Sequence, residues 1–357
     1  FTKMKGVILH GGHGTRLRPL THTGPKQLLP IANKPMSQYG IESMIVSGIK
    51  EIAIIIGGIG ANKVREYYGD GKKFDAKFTY SKQDEPRGIS HAVSLCKNFI
   101  GNEKFLVFLG DNILKDSIAE YVKEFIKSDA DASIVLCEVE NPTRFGIADV
   151  KDGKIIKIVE KPKEPPTNLA VIGIYLLTPK IFDIIDRLKP SWRNELEITD
   201  ALQMLLEENN KIIYNTVSEN WKDTGTPEDI IQANDIILRD YEPYFLGEKE
   251  EGVKINGKIM VGEKSKINKD VILNGPLIIG ENCLIESGVI GPNVSIGNNS
   301  QIVKCNLTNS IIMENCEIKL ELSIDNSIIS KNSKILQKQN IDSKNIFLLG
   351  EGTKIYL

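Results

Sequence analysis

From Ile255 an apolar residue returns at every sixth position: Ile255, Val261, Ile267, Leu273, Ile279 and Ile285. The count then slips by one, and Ile290, Ile296 and Ile302 continue the step, as do Ile312, Ile318 and Ile324 after a longer break. Neither the 3.6-residue period of a helix nor the two-residue alternation of a strand generates such a spacing. A fixed short repeat marks a solenoid, and a six-residue side fits a left-handed parallel β-helix. With three sides per coil, the segment holds roughly four or five coils. Gly262, Gly280, Gly291 and Gly297 each follow directly after one of the apolar positions. A meander of short antiparallel strands would not need a constant step.

The chain before this repeat has a different rhythm. Val7–Leu9, Ile52–Ile56, Phe105–Leu109, Ser133–Val139 and Ile172–Leu177 are short apolar runs that predict buried strands. Ser37–Ser47, Ser90–Asn98, Ile118–Ser128, Ile198–Glu208 and Pro227–Asp240 predict helices, the third capped by Asp116 or Ser117. Strands alternating with helices imply a mostly parallel, Rossmann-like α/β sheet covered on both faces. The expected organisation is an α/β domain over residues 1–240 and the β-helix over 241–357. Ligands of such sheets sit beyond the carboxyl ends of the strands.

Composition narrows the partners. A net charge of −2 and a pI near 6.2 give no support to nucleic-acid or membrane-surface binding. The five cysteines form no CxxC pair, which suits reduced thiols in the cytoplasm. No window approaches the ~18 apolar residues of a membrane span, and the opening Phe1-Thr2-Lys3-Met4 lacks the apolar core of an export signal.

The first strand runs straight into Gly11-Gly12-His13-Gly14-Thr15-Arg16-Leu17, with Pro25-Lys26 a little further on. A dinucleotide fingerprint needs a third glycine where Leu17 stands, and no Gly-Lys-Ser or Gly-Lys-Thr completes a P-loop. Glycines still let the backbone approach a phosphate chain and aim N–H groups at it. Arg16 adds a planar fork for phosphate oxygens and Lys26 a compact charge. These residues point to a triphosphate rather than to a nicotinamide dinucleotide.

GGHGTRLRPLT (Gly11–Thr21) with PKQLLPIANKPM (Pro25–Met36) resembles the signature of the sugar-1-phosphate nucleotidylyltransferases. Within that family the nearest resemblance is to the long-form thymidylyltransferases that act on glucose 1-phosphate. It covers residues 5 to about 240 through several separate motifs, and the repeat resembles the hexapeptide tails many members carry. It implies dTTP and glucose 1-phosphate as substrates, dTDP-glucose and pyrophosphate as products, and Mg²⁺ as cofactor. Leu9, Gly11, Gly12, Gly14 and Thr15 are the implied substrate-binding residues of the loop. His10 stands where many members have alanine.

The other motifs carry roles by the same resemblance. FLVFLGDN ends a strand on Asp111 and Asn112, and WKDTG supplies Asp223. Asp111 and Asp223 together are implied to hold Mg²⁺, with Asn112 beside the substrate. In QDEPRG, Gln83 is implied to meet the edge of the pyrimidine, with Pro86 and Gly88 at the base. The following Ile89-Ser90-His91-Ala92 departs from the usual GLAxA, and His91 reads as a helix-surface residue. Glu160 is implied to bind sugar hydroxyls and Lys161 the sugar phosphate, while Gly146, Val171 and Tyr175 line the sugar pocket. Ile172 stands where threonine is common, and Asn194 replaces a glycine in RNELEITD, whose Thr199-Asp200 reads as structural.

The implied chemistry is in-line attack of a sugar-phosphate oxygen on the α-phosphorus, with Arg16, Lys26 and Lys161 answering the repulsion between anions. Alternatives are a UTP-dependent transferase for glucose or N-acetylglucosamine 1-phosphate, and a non-catalytic regulatory subunit of the same architecture. The four histidines all precede Ala92, so an acetyltransferase site in the repeat would lack the usual histidine base. Flat stacked coils suit self-association, so a homo-oligomer is expected.

Overall fold

The computed structural model describes residues 4–12, 14–218, 220–337 and 352–355. The chain divides into two compact units. One comprises Phe1–Gly14, Thr21–Leu28 and Met36–Asp223; the other comprises Thr15–Leu20, Leu29–Pro35 and Thr224–Leu357.

The strands of the first unit are β1 (Lys5–His10), β2 (Glu51–Gly57), β3 (Lys77–Gln83), β4 (Phe105–Leu109), β5 (Asn112–Leu114), β6 (Ala132–Glu138), β7 (Gly146–Lys151), β8 (Lys154–Glu160), β9 (Leu169–Leu177), β10 (Ile212–Val217) and β11 (Trp221–Asp223). Its principal helices are α1 (Met36–Val46), α2 (Ala61–Tyr68), α3 (Ile89–Ser94), α4 (Ala119–Lys127), α5 (Lys180–Ile185) and α6 (Ile198–Glu207). β3, β2, β1 and β4 lie side by side and parallel. β9 then enters antiparallel to β4, β6 and β7, so the sheet as a whole is mixed. The parallel half carries the glycine loop at the carboxyl end of β1.

The alternation of side chains explains why β1 reads as a continuous apolar run. Val7 and Leu9 join a core with Ala92 and Val93 of α3 and Leu202 of α6. Ile8 faces the opposite core, with Ile41 of α1, Val64 of α2 and Phe125 of α4. A strand buried on both faces shows no polar positions.

Several helices differ from the expected spans: α1 is shifted one residue towards the amino terminus and α6 ends one residue early. The segment expected as one helix over Ser90–Asn98 is α3 followed by a separate turn, Lys97–Ile100. Cys96 N–H closes on Val93 C=O at 3.0 Å, and this tighter turn keeps Cys96 and Ile100 fully buried with Ala92 and Val93. α4 starts one residue late. Ser117 Oγ accepts from Ala119 N–H at 3.3 Å, while Asp116 accepts from the Asn220 side chain at 2.9 Å.

In the second unit the strands Ile259–Val261, Leu277–Ile279, Val294–Ile296, Ser310–Ile312 and Ile328–Ile329 stack in parallel on one side. Lys266–Ile267, Leu284–Glu286, Gln301–Leu307 and Glu317–Ile324 stack likewise on another. Hydrogen-bonded neighbours on successive coils are 18, 17 or 16 residues apart. This is the arrangement of a parallel β-helix. The repeated apolar positions from Val261 to Ile318 form its core, whereas Ile255, on the short strand Lys254–Asn256, is 40% exposed. Corners fall on residues of positive φ, among them Asn282, Asn293, Asn299, Asn315 and Asn332. Asparagine tolerates that region better than other residues with a Cβ.

The same unit contains α7 (Pro227–Asp240), opened by a full capping box between Thr226 and Asp229. Asn234, fully buried on α7, accepts from Ala32 N–H at 2.8 Å and from Ser295 Oγ at 2.6 Å. Its amide group donates to Asn293 Oδ1 at 2.9 Å. Asn33 Nδ2 donates to Ile296 C=O at 2.7 Å.

Candidate functional site

The glycine loop is held from below by two residues that none of the sequence motifs singles out. Gln27 Nε2 donates to Gly11 C=O at 3.0 Å, and Thr21 Oγ1 donates to Gly14 C=O at 2.8 Å. Gly12 is exposed and has open space on the side where a Cβ would stand. Leu9 is committed to the core, and its carbonyl takes Gly110 N–H at 3.0 Å. Thr15 and Arg16 are exposed on the short turn Thr15–Leu17, which belongs to the second unit. His10, the last residue of β1, is fully buried edge-on to Tyr68, and neither ring nitrogen has a hydrogen-bond partner among the described residues.

Lys26, on the short turn Lys26–Leu28, forms an ion pair with Asp111 just beyond the end of β4. Burial by itself would raise the Asp111 pKa. The charge and hydrogen bond of Lys26, with bonds from Asn112 and the backbone, outweigh it and hold the carboxyl below the usual range. Asn112 is buried and fully engaged. Its amide donates to Asp111 Oδ1 at 3.1 Å, and its oxygen accepts from Trp221 Nε1 at 2.7 Å. Across the antiparallel pair of β5 and β11, Asp223 lies directly opposite Asn112. The ladder thus sets Asp223 opposite the residue that follows Asp111, although the two are far apart in the chain. Among the described residues no cluster of three or more His, Cys, Asp or Glu side chains could hold a metal. One or two carboxylates are nevertheless the protein donors Mg²⁺ takes when substrate phosphates and water complete its octahedron.

A cleft beside the loop is lined by Gly12, Gly57, Gly58, Gln83 and Pro86. Gln83 closes β3 and pairs with Gly57 at the end of β2. Its Nε2 lies 2.9 Å from His91 Nδ1 and 3.4 Å from Gly88 C=O. His91 is therefore not a bystander on the helix surface; its ring sits on the side chain that faces the cleft. Gly88 has φ of +98°, and a Cβ there would stand 2.5 Å from Leu196 C=O. Only glycine fits.

The residues expected to meet the sugar lie on paired strands and a nearby helix. Glu160 ends β8 opposite Gly146 on β7. Thr199 Oγ1 donates to Glu160 Oε2 at 2.8 Å, and Arg193 reaches Glu160, Glu195 and Glu197 at 3.4, 3.1 and 3.3 Å. Thr199 and Arg193 thus hold the carboxylate, a role that their motif alone does not reveal. A Cβ on Gly146 would lie 2.4 Å from Thr199 Cγ2. Lys161 Nζ is 3.8 Å from Glu160 Oε1 and a third exposed. Val171 and Tyr175 are buried on β9. Burial first, then the charges of Glu160, Asp111 and Glu197, raise the Tyr175 pKa, so its phenol remains a neutral donor. The carboxylates acting on that one ring come from both the metal-type pair and the sugar side.

The chain is similar to known proteins along most of its length. Residues 5–240 match the family model "Nucleotidyl transferase", and residues 274–356 match "GMPPB C-terminal domain". A low-salt glycan biosynthesis nucleotidyltransferase of Haloferax volcanii is 44% identical over 317 residues, 88% of this chain and 89% of its own length. A glucose-1-phosphate thymidylyltransferase of Streptomyces antibioticus is 36% identical over 354 residues, 99% of each chain. A solved UDP-glucose pyrophosphorylase bound to UDP-glucose superimposes with a TM-score of 0.61 at 30% identity, covering 67% of this chain and all of its own. From the glycine loop to the ladder that carries Asp223, the chain is a member of the nucleotidyl transferase family.

Proposed function

We propose that the protein transfers a deoxythymidylyl group from dTTP to glucose 1-phosphate, giving dTDP-glucose and pyrophosphate. Two observations support this reading: the ion pair of Lys26 with Asp111, and the ladder register that sets Asp223 opposite Asn112. The near end-to-end similarity to a Streptomyces thymidylyltransferase supports the choice of substrates.

A sugar-phosphate oxygen attacks the α-phosphorus, the new P–O bond forms in line, and the bond to the β-phosphate oxygen breaks. The nucleophile is already anionic, so no general base is required; repulsion between phosphates is the barrier. Mg²⁺, held by Asp111 and Asp223, would supply charge neutralisation at the α-phosphate. Lys26 adds a positive charge next to Asp111, and Asn112 orients that carboxylate. Glu160, steadied by Thr199 and Arg193, accepts hydrogen bonds from sugar hydroxyls, while Lys161 meets the incoming phosphate. Arg16 is assigned to the leaving pyrophosphate by its motif alone. The amide of Gln83 reads the pyrimidine edge that thymine shares with uracil, so UTP is expected as a second, overlapping substrate. The β-helix is assigned to self-association.

The direct test is pyrophosphate release from dTTP plus glucose 1-phosphate with Mg²⁺. Lys161→Ala and Asp223→Asn should each lose ~10²–10³ in kcat/KM with the fold retained. Undiminished turnover in both variants overturns these roles.

A further inference from the structure

The orientation of the Gln83 side chain is set by a neighbour that the reaction itself does not require. A carboxamide presents either an N–H donor or a carbonyl acceptor, depending on which way it is turned. Here the Nε2 end is used inside the protein, 2.9 Å from His91 Nδ1 and 3.4 Å from Gly88 C=O. The Oε1 end points the other way, 3.0 Å from where a Cβ on Gly11 would be, next to the cleft of Gly12, Gly57, Gly58 and Pro86. For Nε2 to donate, His91 Nδ1 must be bare, with the ring proton on Nε2.

We propose that His91 is a positioning residue that locks Gln83 with its carbonyl oxygen toward the nucleotide, so that the site selects bases carrying a ring N–H and rejects those carrying a ring acceptor. Thymine and uracil offer that N–H at ring position 3; cytosine offers a lone pair there. The inference rests on the proposed nucleotidyl transfer and adds to it the origin of base choice.

The lock holds only while His91 is neutral. Partial burial lowers its pKa, and the Arg87 charge lowers it further against the opposing pull of Asp84. Among the described residues these are the charges that act on the ring. Once protonated, Nδ1 becomes a donor facing a donor. The amide then turns over, placing N–H groups toward the cleft, where cytosine accepts and thymine does not. Base preference therefore weakens on the acid side of the ordinary histidine range.

The experiment is the ratio of kcat/KM for dTTP to that for dCTP with one sugar phosphate, at several pH values from 8 to 5. Both nucleotides carry the same triphosphate, so titration of phosphate and metal ligands cancels in the ratio. Wild-type protein should favour dTTP strongly at pH 8, with the ratio falling at least ~10-fold toward pH 5, as expected for one hydrogen bond gained or lost in a partly buried site. His91→Phe, which keeps the ring volume but has no acceptor, should show the lowered ratio at every pH. A ratio unchanged in His91→Phe and flat with pH in the wild type refutes the proposal while leaving nucleotidyl transfer intact. If wild-type protein consumes neither nucleotide, the functional reading fails; the same ratio is then taken from calorimetric binding of dTTP and dCTP, with the same two outcomes.

Discussion

His10 makes the first unit acid-labile in a calculable way. Its imidazole is fully buried, and neither nitrogen has a hydrogen-bond partner among the described residues. Burial lowers its pKa from 6.5 to about 3, against a smaller upward pull from Asp111. The native ring thus stays neutral where the unfolded ring takes a proton. By linkage, the stability contribution is complete above pH 6.5 and is lost as the pH falls from there toward 3. The slope is ~1.4 kcal/mol per pH unit, so about 2 kcal/mol is gone at pH 5. Carboxylates titrate in the same region, and a variant without the imidazole separates the two effects. His10→Leu fills similar volume and has nothing to protonate. It should match or exceed wild-type stability at pH 7, since an unpaired buried polar group is removed. Urea unfolding of both proteins at pH 7, 6 and 5 should show the gap widening in favour of His10→Leu by roughly 1–2 kcal/mol over that interval. A gap that is constant with pH would refute the argument.

Other outcomes follow from single contacts. Gly88→Ala places a Cβ against Leu196 C=O at a positive φ and should destabilise by ~3 kcal/mol or more, read as a lowered melting temperature. Thr199→Val removes the hydroxyl that holds Glu160 and should raise KM for glucose 1-phosphate about tenfold with KM for dTTP unchanged, measured by steady-state kinetics. Asn234→Ala leaves Ala32 N–H and Ser295 Oγ without their acceptor and should cost about 2–4 kcal/mol in urea unfolding. Chelation of divalent metal by EDTA should abolish pyrophosphate release, and added Mg²⁺ should restore it.

Features that repeat or lie close together along the chain are legible in the amino-acid sequence. The six-residue step is legible because the repeated positions from Val261 to Ile318 are buried and form the β-helix core. The run at β1 is readable because both faces of the strand are covered. What stays hidden depends on pairs distant in sequence. Thr199 bonds to Glu160 across 39 residues, and Trp221 to Asn112 across 109. Nothing local marks either pair. His91 reads as a surface residue because the helix pattern gives its face but not what the folded loop brings against it. The β9 reversal is likewise a matter of connection, since an apolar run has no preferred direction in a sheet. Glycine stands out as the turn residue of the repeat, yet many corners fall on asparagine.

The buried amide of Asn234 has a bearing on how such proteins can be taken apart. It joins a piece from near the amino terminus, a helix from mid-chain and a strand of the solenoid through hydrogen bonds sheltered from water. A gene fragment beginning at residue 241 would carry Asn293 and Ser295 but neither the helix nor the loop that satisfies them. Engineers exchanging solenoids between such enzymes would therefore need to move the helix with the solenoid, together with the separate loop around Ala32, matched at this one asparagine.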